Sequence, residues 1–320
     1  MRTRTIGTGV AKRQVSSICL GAMMFGTTID EATSFAILDR FVEAGGTFID
    51  TADAYSFWAP GGRGGESEAL LGRWLADRRP GVVVASKLGA RPTVPGTGLE
   101  TAEGLSAAAV RQAAAGIRER LGVETIDLLY THIEDRTVGL EETVSALADL
   151  VDAGEAGILG VSNHATWRLE RARVAAADAG RAGCEVLQYR YSYLQPRHDV
   201  PVPEAGHVHA TPELLDYARV HDLPVLVYSP LISGGYTRPD KPLSQAYDHP
   251  GTASRLEALD EVAKETGATR NQVVLAWLQG LDQPVIPLVG ASSVGQLDEV
   301  LEGADLELST DQRARMDAAR

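Results

Sequence analysis

Four side chains stand out by type and position. Asp50 is followed five places on by Tyr55, and Lys87 and His132 each come directly after an apolar run, 82–86 and 128–131. A free tyrosine titrates at about pH 10 and is a poor acid at neutral pH. An ammonium beside it favours the phenolate, and a carboxylate beside the ammonium holds it in place and keeps it charged. Together they make a phenol able to give a proton to a developing alkoxide, while a neutral histidine donates to the same oxygen and orients it. Proton donation without a nucleophile or a metal needs another source of electrons, and hydride from a nicotinamide is the usual one. Lys87 is informative because only Lys12, Lys87, Lys241 and Lys264 are lysines among 30 basic residues. A compact ammonium at that place is therefore a choice against the prevailing arginine. Taken singly, each group has a plainer reading: Asp50 as a helix cap, Tyr55 as a surface aromatic, His132 as a satisfied core histidine.

These groups need elements to hold them. The chain alternates short β-branched or apolar runs with longer Ala/Leu/Glu/Arg-rich stretches of helical period. Strands are expected at 15–20, 47–50, 82–86, 126–131, 157–161, 185–188, 224–228 and 284–287. The helices paired with them are expected at 31–44, 66–77, 106–121, 141–152, 166–178, 211–221, 253–266 and 294–301. Ser106, Thr211 before Pro212, and Thr269 each offer a side-chain oxygen ahead of a helical run. Eight such units predict an α/β chain with one (β/α)8 TIM barrel over 1–320 rather than two doubly wound halves. No GxGxxG follows a predicted strand, and Gly61-Gly62-Arg63-Gly64-Gly65 has the wrong spacing for one. A hairpin over 2–10, turning at Gly7-Thr8-Gly9, precedes the barrel. Long loops at 55–65, 195–209 and 229–250 are expected on the C-terminal face, where a barrel of this kind carries its active site. Asp50, Lys87 and His132 all fall at that face.

Further motifs at the strand ends carry a family resemblance. Phe48-Ile49-Asp50-Thr51-Ala52-Asp53-Ala54-Tyr55, Gly65-Glu66-Ser67-Glu68 with Leu71-Gly72, Gly160-Val161-Ser162-Asn163 and Tyr228-Ser229-Pro230-Leu231 occur in order along the chain. Each is weak alone, but together the chain resembles the aldo-keto reductases along essentially its whole length. The resemblance implies a catalytic tetrad of Asp50, Tyr55, Lys87 and His132. It implies NADP(H), with NAD(H) possible, as cofactor. Gly21, Ala22, Met23 and Asp50 would lie beside the nicotinamide ribose, and Ser162, Asn163 and Gln188 would hold the carboxamide. Tyr228 would stack on the ring. Ser229, Pro230, Leu231 and Gly234 would follow the pyrophosphate, and Gly290, Ser292, Ser293, Gln296 and Glu299 would meet the adenosine end. Phe57 and Trp58, with His132, would line the mouth for a small carbonyl substrate. The chain also departs from the pattern. Many relatives place Lys or Arg on the 2′-phosphate, yet no basic residue lies between Gln283 and Glu307, and Val300 replaces an asparagine common near the adenine. Charge-assisted contacts to that phosphate are therefore missing. A second reading within the same family is a nicotinamide-binding regulatory subunit with little turnover. A third, outside it, is a hydrolase or lyase barrel with a Schiff base on Lys87.

Composition bounds these readings. The 320 residues carry a net charge of −13, which leaves no basic footprint for nucleic acid or anionic lipid. Cys19 and Cys184 are too few for a disulfide framework or a zinc cage and suit a reducing, cytoplasmic location. No apolar run reaches membrane-spanning length. Arg2, Arg4, Lys12 and Arg13 ahead of the apolar run 18–25 imitate a secretory leader, but no small-residue cleavage site follows. His207 and His209 face one way if extended, without a third ligand at metal spacing, and 203–206 reads as a flexible loop. No metal is expected. Tyr191, Tyr193 and Tyr236 are further aromatic candidates for the pocket.

Overall fold

The short apolar runs pair in the order in which they occur. A computed structural model of the chain describes residues 1–78, 81–197, 199–200, 206–283 and 285–320. Strands β1 (Thr3–Ile6) and β2 (Arg13–Ser16) form an antiparallel hairpin. Strands β3 (Cys19–Gly21), β4 (Phe48–Asp50), β5 (Val83–Leu88), β6 (Ile126–Thr131), β7 (Ala156–Ser162), β8 (Cys184–Arg190), β9 (Val225–Tyr228) and β10 (Val285–Gly290) run parallel and close into a barrel. Closure comes from β10, which pairs with both β9 and β3. The helices are α1 (Glu31–Glu43), α2 (Glu66–Arg78), α3 (Ala107–Leu121), α4 (Leu140–Asp152), α5 (Thr166–Asp178), α6 (Pro212–Val220), α7 (Pro250–Thr266), α8 (Arg270–Gln279), α9 (Val294–Asp305) and α10 (Thr310–Ala318). This is the (β/α)8 barrel expected from the alternation. No helix among the described residues is long and apolar enough to cross a membrane.

Local chemistry accounts for the helices. In α3 the buried positions Val110, Ala113, Ala114, Ile117 and Leu121 recur at helical spacing and form one apolar stripe against the sheet. Ser106 caps its start by accepting from Ala109 N, and Gly122 ends it in the left-handed region at φ 66°. Thr211 caps α6 in the same way, and Thr269 with Gln272 completes a capping box at α8.

Two boundaries differ from expectation for packing reasons. The run 15–20 is not one strand. Val15 belongs to β2 of the hairpin, while Cys19 begins the barrel strand. Between them Ser16 Oγ donates to Ile18 O and Ser17 N to Arg2 O, which turns the chain from one sheet to the other. The hairpin thus extends past 2–10 and seals the lower end of the barrel, with Ile6 and Val15 packed on the interior layer. The leader-like run 18–25 contributes a barrel strand. At the other end of the chain, α10 lies outside the eight expected units and packs on α7 through Met316, which is fully buried. Pro284, expected to open the last strand, lies outside the described residues.

Inside the barrel, Cys19, Phe48, Val83, Ala85, Leu128, Tyr130, Ile158, Val186, Leu226 and Ile286 form one interior layer. Side chains alternate along a strand, so the residue two or four places further on faces the same lumen nearer its C-terminal mouth. Those residues are Gly21, Asp50, Lys87, His132, Ser162, Gln188, Tyr228 and Gly290. The same alternation that fills the core therefore delivers one polar or small residue per strand to the mouth.

Candidate active site

Asp50 closes β4 and Lys87 lies in β5, both fully buried. Lys87 Nζ donates to Asp50 Oδ1 at 2.5 Å, to Tyr55 Oη at 2.6 Å and to Thr51 O at 2.7 Å. All three protons of the ammonium are used. Tyr55 Oη in turn donates to Asp50 Oδ1 at 3.1 Å. His132 follows β6, its backbone N–H donating to Leu88 O at 2.8 Å. Its ring meets that of Tyr55 edge to face, with centroids 5.8 Å apart. The four residues expected to act together are thus brought together.

Burial dominates the titration of Tyr55, Lys87 and His132. The His132 imidazole is pulled well below its ordinary value by desolvation and then by the Lys87 charge, so the ring is neutral at physiological pH. Its Nδ1 is buried with no hydrogen-bond partner. Tyr55 departs from expectation. Its phenol is pushed well above the usual tyrosine value, by burial first and by the Asp50 carboxylate next. The contact from Lys87 does not reverse that direction. Lys87 itself is lowered by burial against the opposing pull of Asp50. The phenol therefore holds its proton.

The remaining predicted residues lie along the rim. Gly21 and Gly290 are register partners on adjacent strands, and buried Ala22 donates its N–H to Asp50 O at 2.8 Å. Met23 is exposed beside them. Asn163, in the left-handed region at φ 60°, is the hub of the β7 end. Its Nδ2 donates to His132 O at 3.1 Å and Ser162 Oγ at 3.0 Å, and its Oδ1 accepts from Val208 N at 3.0 Å and Tyr228 Oη at 2.7 Å. After Tyr228 the backbone is left-handed at Ser229, Ile232, Ser233 and Gly234, a concentration of strain that marks functional turns. Pro230 O accepts from Ser192 Oγ at 2.5 Å, and Leu231 packs half-buried at that bend. Ser293 caps α9, and Gln296 Oε1 accepts from both the N–H and the hydroxyl of Ser292 at 2.9 Å. Glu299 is tied to the start of α8, accepting from Thr269 Oγ1 at 2.8 Å and Asn271 Nδ2 at 3.3 Å. Phe57 and Trp58 stack edge to face at 5.1 Å just past Tyr55, with Trp58 51% exposed. His207 packs its ring on Tyr228 at 5.0 Å, and the backbone around His209 pairs with β8, Arg190 N donating to Val208 O at 3.0 Å and Ala210 N to Arg190 O at 2.8 Å. Of the segment 203–206, residues 203–205 lie outside the described residues. Tyr193 and Tyr236 are buried beneath the rim, their hydroxyls bonded to Met316 O and to Ser192 and Leu194 N, so they are core rather than pocket. Tyr191 stacks on Trp277 in the same layer.

Several contributors are invisible from residue types at strand ends. Ser67 donates to Ala22 O at 2.7 Å and takes the Thr51 hydroxyl at 2.7 Å. Glu68 accepts from Ser86 Oγ and, at 2.6 Å, from Arg120 Nε. The Gly65-Glu66-Ser67-Glu68 motif thus braces the backbone on either side of Asp50 and Lys87 from behind. Asp53 lies in the same layer, buried beside Glu103, and burial and then the Glu103 charge hold its carboxyl well above the usual range. Gly160 owes its place to Tyr130: a Cβ there would lie 2.4 Å from that ring.

A model of the aldo/keto reductase family matches residues 17–320. The chain belongs to the aldo/keto reductase family. Among its relatives is the uncharacterized oxidoreductase YrpG of Bacillus subtilis, 31% identical over 92% of this chain and 89% of the relative. Norsolorinic acid reductase B of Aspergillus parasiticus is 30% identical over 94% of this chain and 80% of its own length. Aldo-keto reductase str7 of Strobilurus tenacellus is 29% identical over 98% and 90%. Membership makes this aldo/keto reductase an oxidoreductase acting on carbonyl groups, in a family that generally uses nicotinamide dinucleotides.

Proposed function

We propose that this protein reduces an aldehyde or ketone to an alcohol with NAD(P)H, with Tyr55 as the proton donor. The observation that carries the reading is the buried Asp50–Lys87–Tyr55 cluster with a neutral imidazole at its edge. The make-up of the rim supports the cofactor reading. Ser162 and Gln188 offer polar groups beside the aromatic face of Tyr228, the strained turn 229–234 follows, and the exposed start of α9 comes next, in the order of a dinucleotide's parts. When bound, the dihydronicotinamide supplies two electrons and a hydrogen to the carbonyl carbon, and one solvent proton per turnover balances the reaction. The longest contact of Tyr55 is the one it donates to Asp50, so an arriving carbonyl oxygen competes for that proton with least loss. Lys87 then holds the tyrosinate left behind. His132 orients the same oxygen. NADP(H) remains the cofactor we favour. Because the hydroxyls of Ser292 and Ser293 rather than a cation would hold a 2′-phosphate, NAD(H) should follow within roughly tenfold. Phe57 and Trp58 suit a substrate with an apolar or aromatic face. Both cysteines are free, which suits a reducing cytoplasm.

The test pairs Tyr55→Phe with fluorescence titration by NADPH and NADH. Loss of turnover by about 10²-fold or more with unchanged cofactor affinity is expected. Wild-type turnover in the variant would remove Tyr55 from its role, and failure of both nucleotides to bind would remove the cofactor assignment.

A further inference from the structure

Gln188 is expected at the carboxamide, yet one N–H of its amide is already committed. Gln188 Nε2 lies 2.9 Å from Asp50 Oδ2, and both side chains are buried. An ionised carboxylate only accepts, so the atom facing it must be the amide N–H₂. The strand order places β8 four steps from β4 in either direction around the ring. The contact therefore spans the barrel at its mouth. Lys87 and Tyr55 both bond Oδ1, and Gln188 bonds the other oxygen. The carboxylate is thus held at both ends and its plane is set.

We propose that Gln188 is a positioning residue for Asp50, fixing the carboxylate that orders Lys87 and Tyr55, and that it serves the tetrad whether or not it also meets the cofactor. Its second N–H and its carbonyl remain for other partners. The inference rests on the tetrad reading given above. Removing the amide leaves Oδ2 buried without a donor, which favours protonation of Asp50 or its rotation away from Lys87.

Gln188→Glu and Gln188→Leu test this in the full-length protein. A glutamic acid donates to Asp50 only while protonated, so two carboxylates would repel once it ionises. The other titratable groups facing the contact are Lys87 on β5, Tyr130 and His132 on and after β6, Cys19 on β3 and Tyr55, all present in the wild type as well. In Gln188→Glu, measured at saturating NADPH, we expect a new alkaline limb in the kcat profile, absent from the wild type. In Gln188→Leu, kcat should fall about tenfold or more with the carbonyl KM nearly unchanged. A pH profile superimposable on the wild type, with cofactor affinity weakened tenfold, would overturn the proposal and leave Gln188 to the carboxamide alone. Thermal unfolding against pH provides a readout independent of turnover. The Gln188→Glu variant should lose stability relative to wild type as pH rises, and a pH-independent difference counts against the contact. If wild-type protein reduces no carbonyl while this slope is present, the proposed activity fails and the Asp50–Gln188 contact stands.

Discussion

Tyr55 keeps its proton because burial disfavours a phenolate and the Asp50 carboxylate beside it disfavours a second negative charge. His132 stays neutral for the matching reason, since a second cation beside Lys87 in a dry site is costly. A raised phenol remains protonated up to its raised value, and a lowered imidazole remains neutral down to its lowered value. The kcat/KM for reduction should therefore be flat between about pH 6 and about pH 9. A pH-rate series measures this, and an enzyme limb between those values would show that one of the two groups is assigned the wrong state. Asp53 makes a separate prediction. Its folded value lies well above the unfolded value of about 3.9, so the stability it contributes is complete below that pH and is lost as pH rises toward the folded value. Asp53→Asn removes that slope. Its melting temperature should gain on the wild type from pH 4 to pH 8 by about 2 °C or more, whereas a constant difference would mean that Asp53 is not held protonated.

At the scale of elements, the strand ends are positioned by close packing as much as by hydrogen bonds. Gly160 in β7 faces the Tyr130 ring of β6, and an added Cβ would also lie 2.9 Å from Val186 O of β8. Gly160→Ala therefore has to spread three strands, at a cost of about 1–3 kcal/mol. Denaturant unfolding should show the loss. Gly295→Ala, where a Cβ meets nothing within 4 Å on α9, should instead be neutral or stabilising by up to about 1 kcal/mol. Equal losses in both would remove the packing explanation. Much of this level was legible. Ile126–Thr131 and Thr166–Asp178 have the bounds that periodicity predicts, and Ser106, Thr211 and Thr269 all cap as expected. The run 15–20 divides between two sheets, which its pattern does not reveal, because hydrophobic pattern is the same for a hairpin strand and a barrel strand. Only the partner sheet distinguishes them.

For the whole molecule, closing the barrel separates stability from chemistry. The hairpin packs Ile6 and Val15 under the interior layer, and Arg4 donates to Gln279 O at 2.5 Å to hold it there. The mouth lies at the opposite end of the strands. Ile6→Ala should cost about 2–5 kcal/mol in unfolding while leaving kcat unchanged at temperatures where the variant is folded. Calorimetry and steady-state rates together check this. A drop in kcat without unfolding would mean that the lower end of the barrel is coupled to the mouth.

From sequence alone, alternation determined the barrel, and residue type at the strand ends determined that Asp50, Tyr55, Lys87 and His132 face one point. Those properties are local, set by side-chain period and chain order. The tertiary structure decided the rest. It set the balance of charges at Tyr55, where expected activation by Lys87 gives way to burial and Asp50. It turned Glu68 and Ser67 into a brace behind the site. It brought Gln188 to Asp50 across the ring. Each of these depends on distances between residues far apart in the chain, and those exist only once the eight strands have closed and water has left the interior.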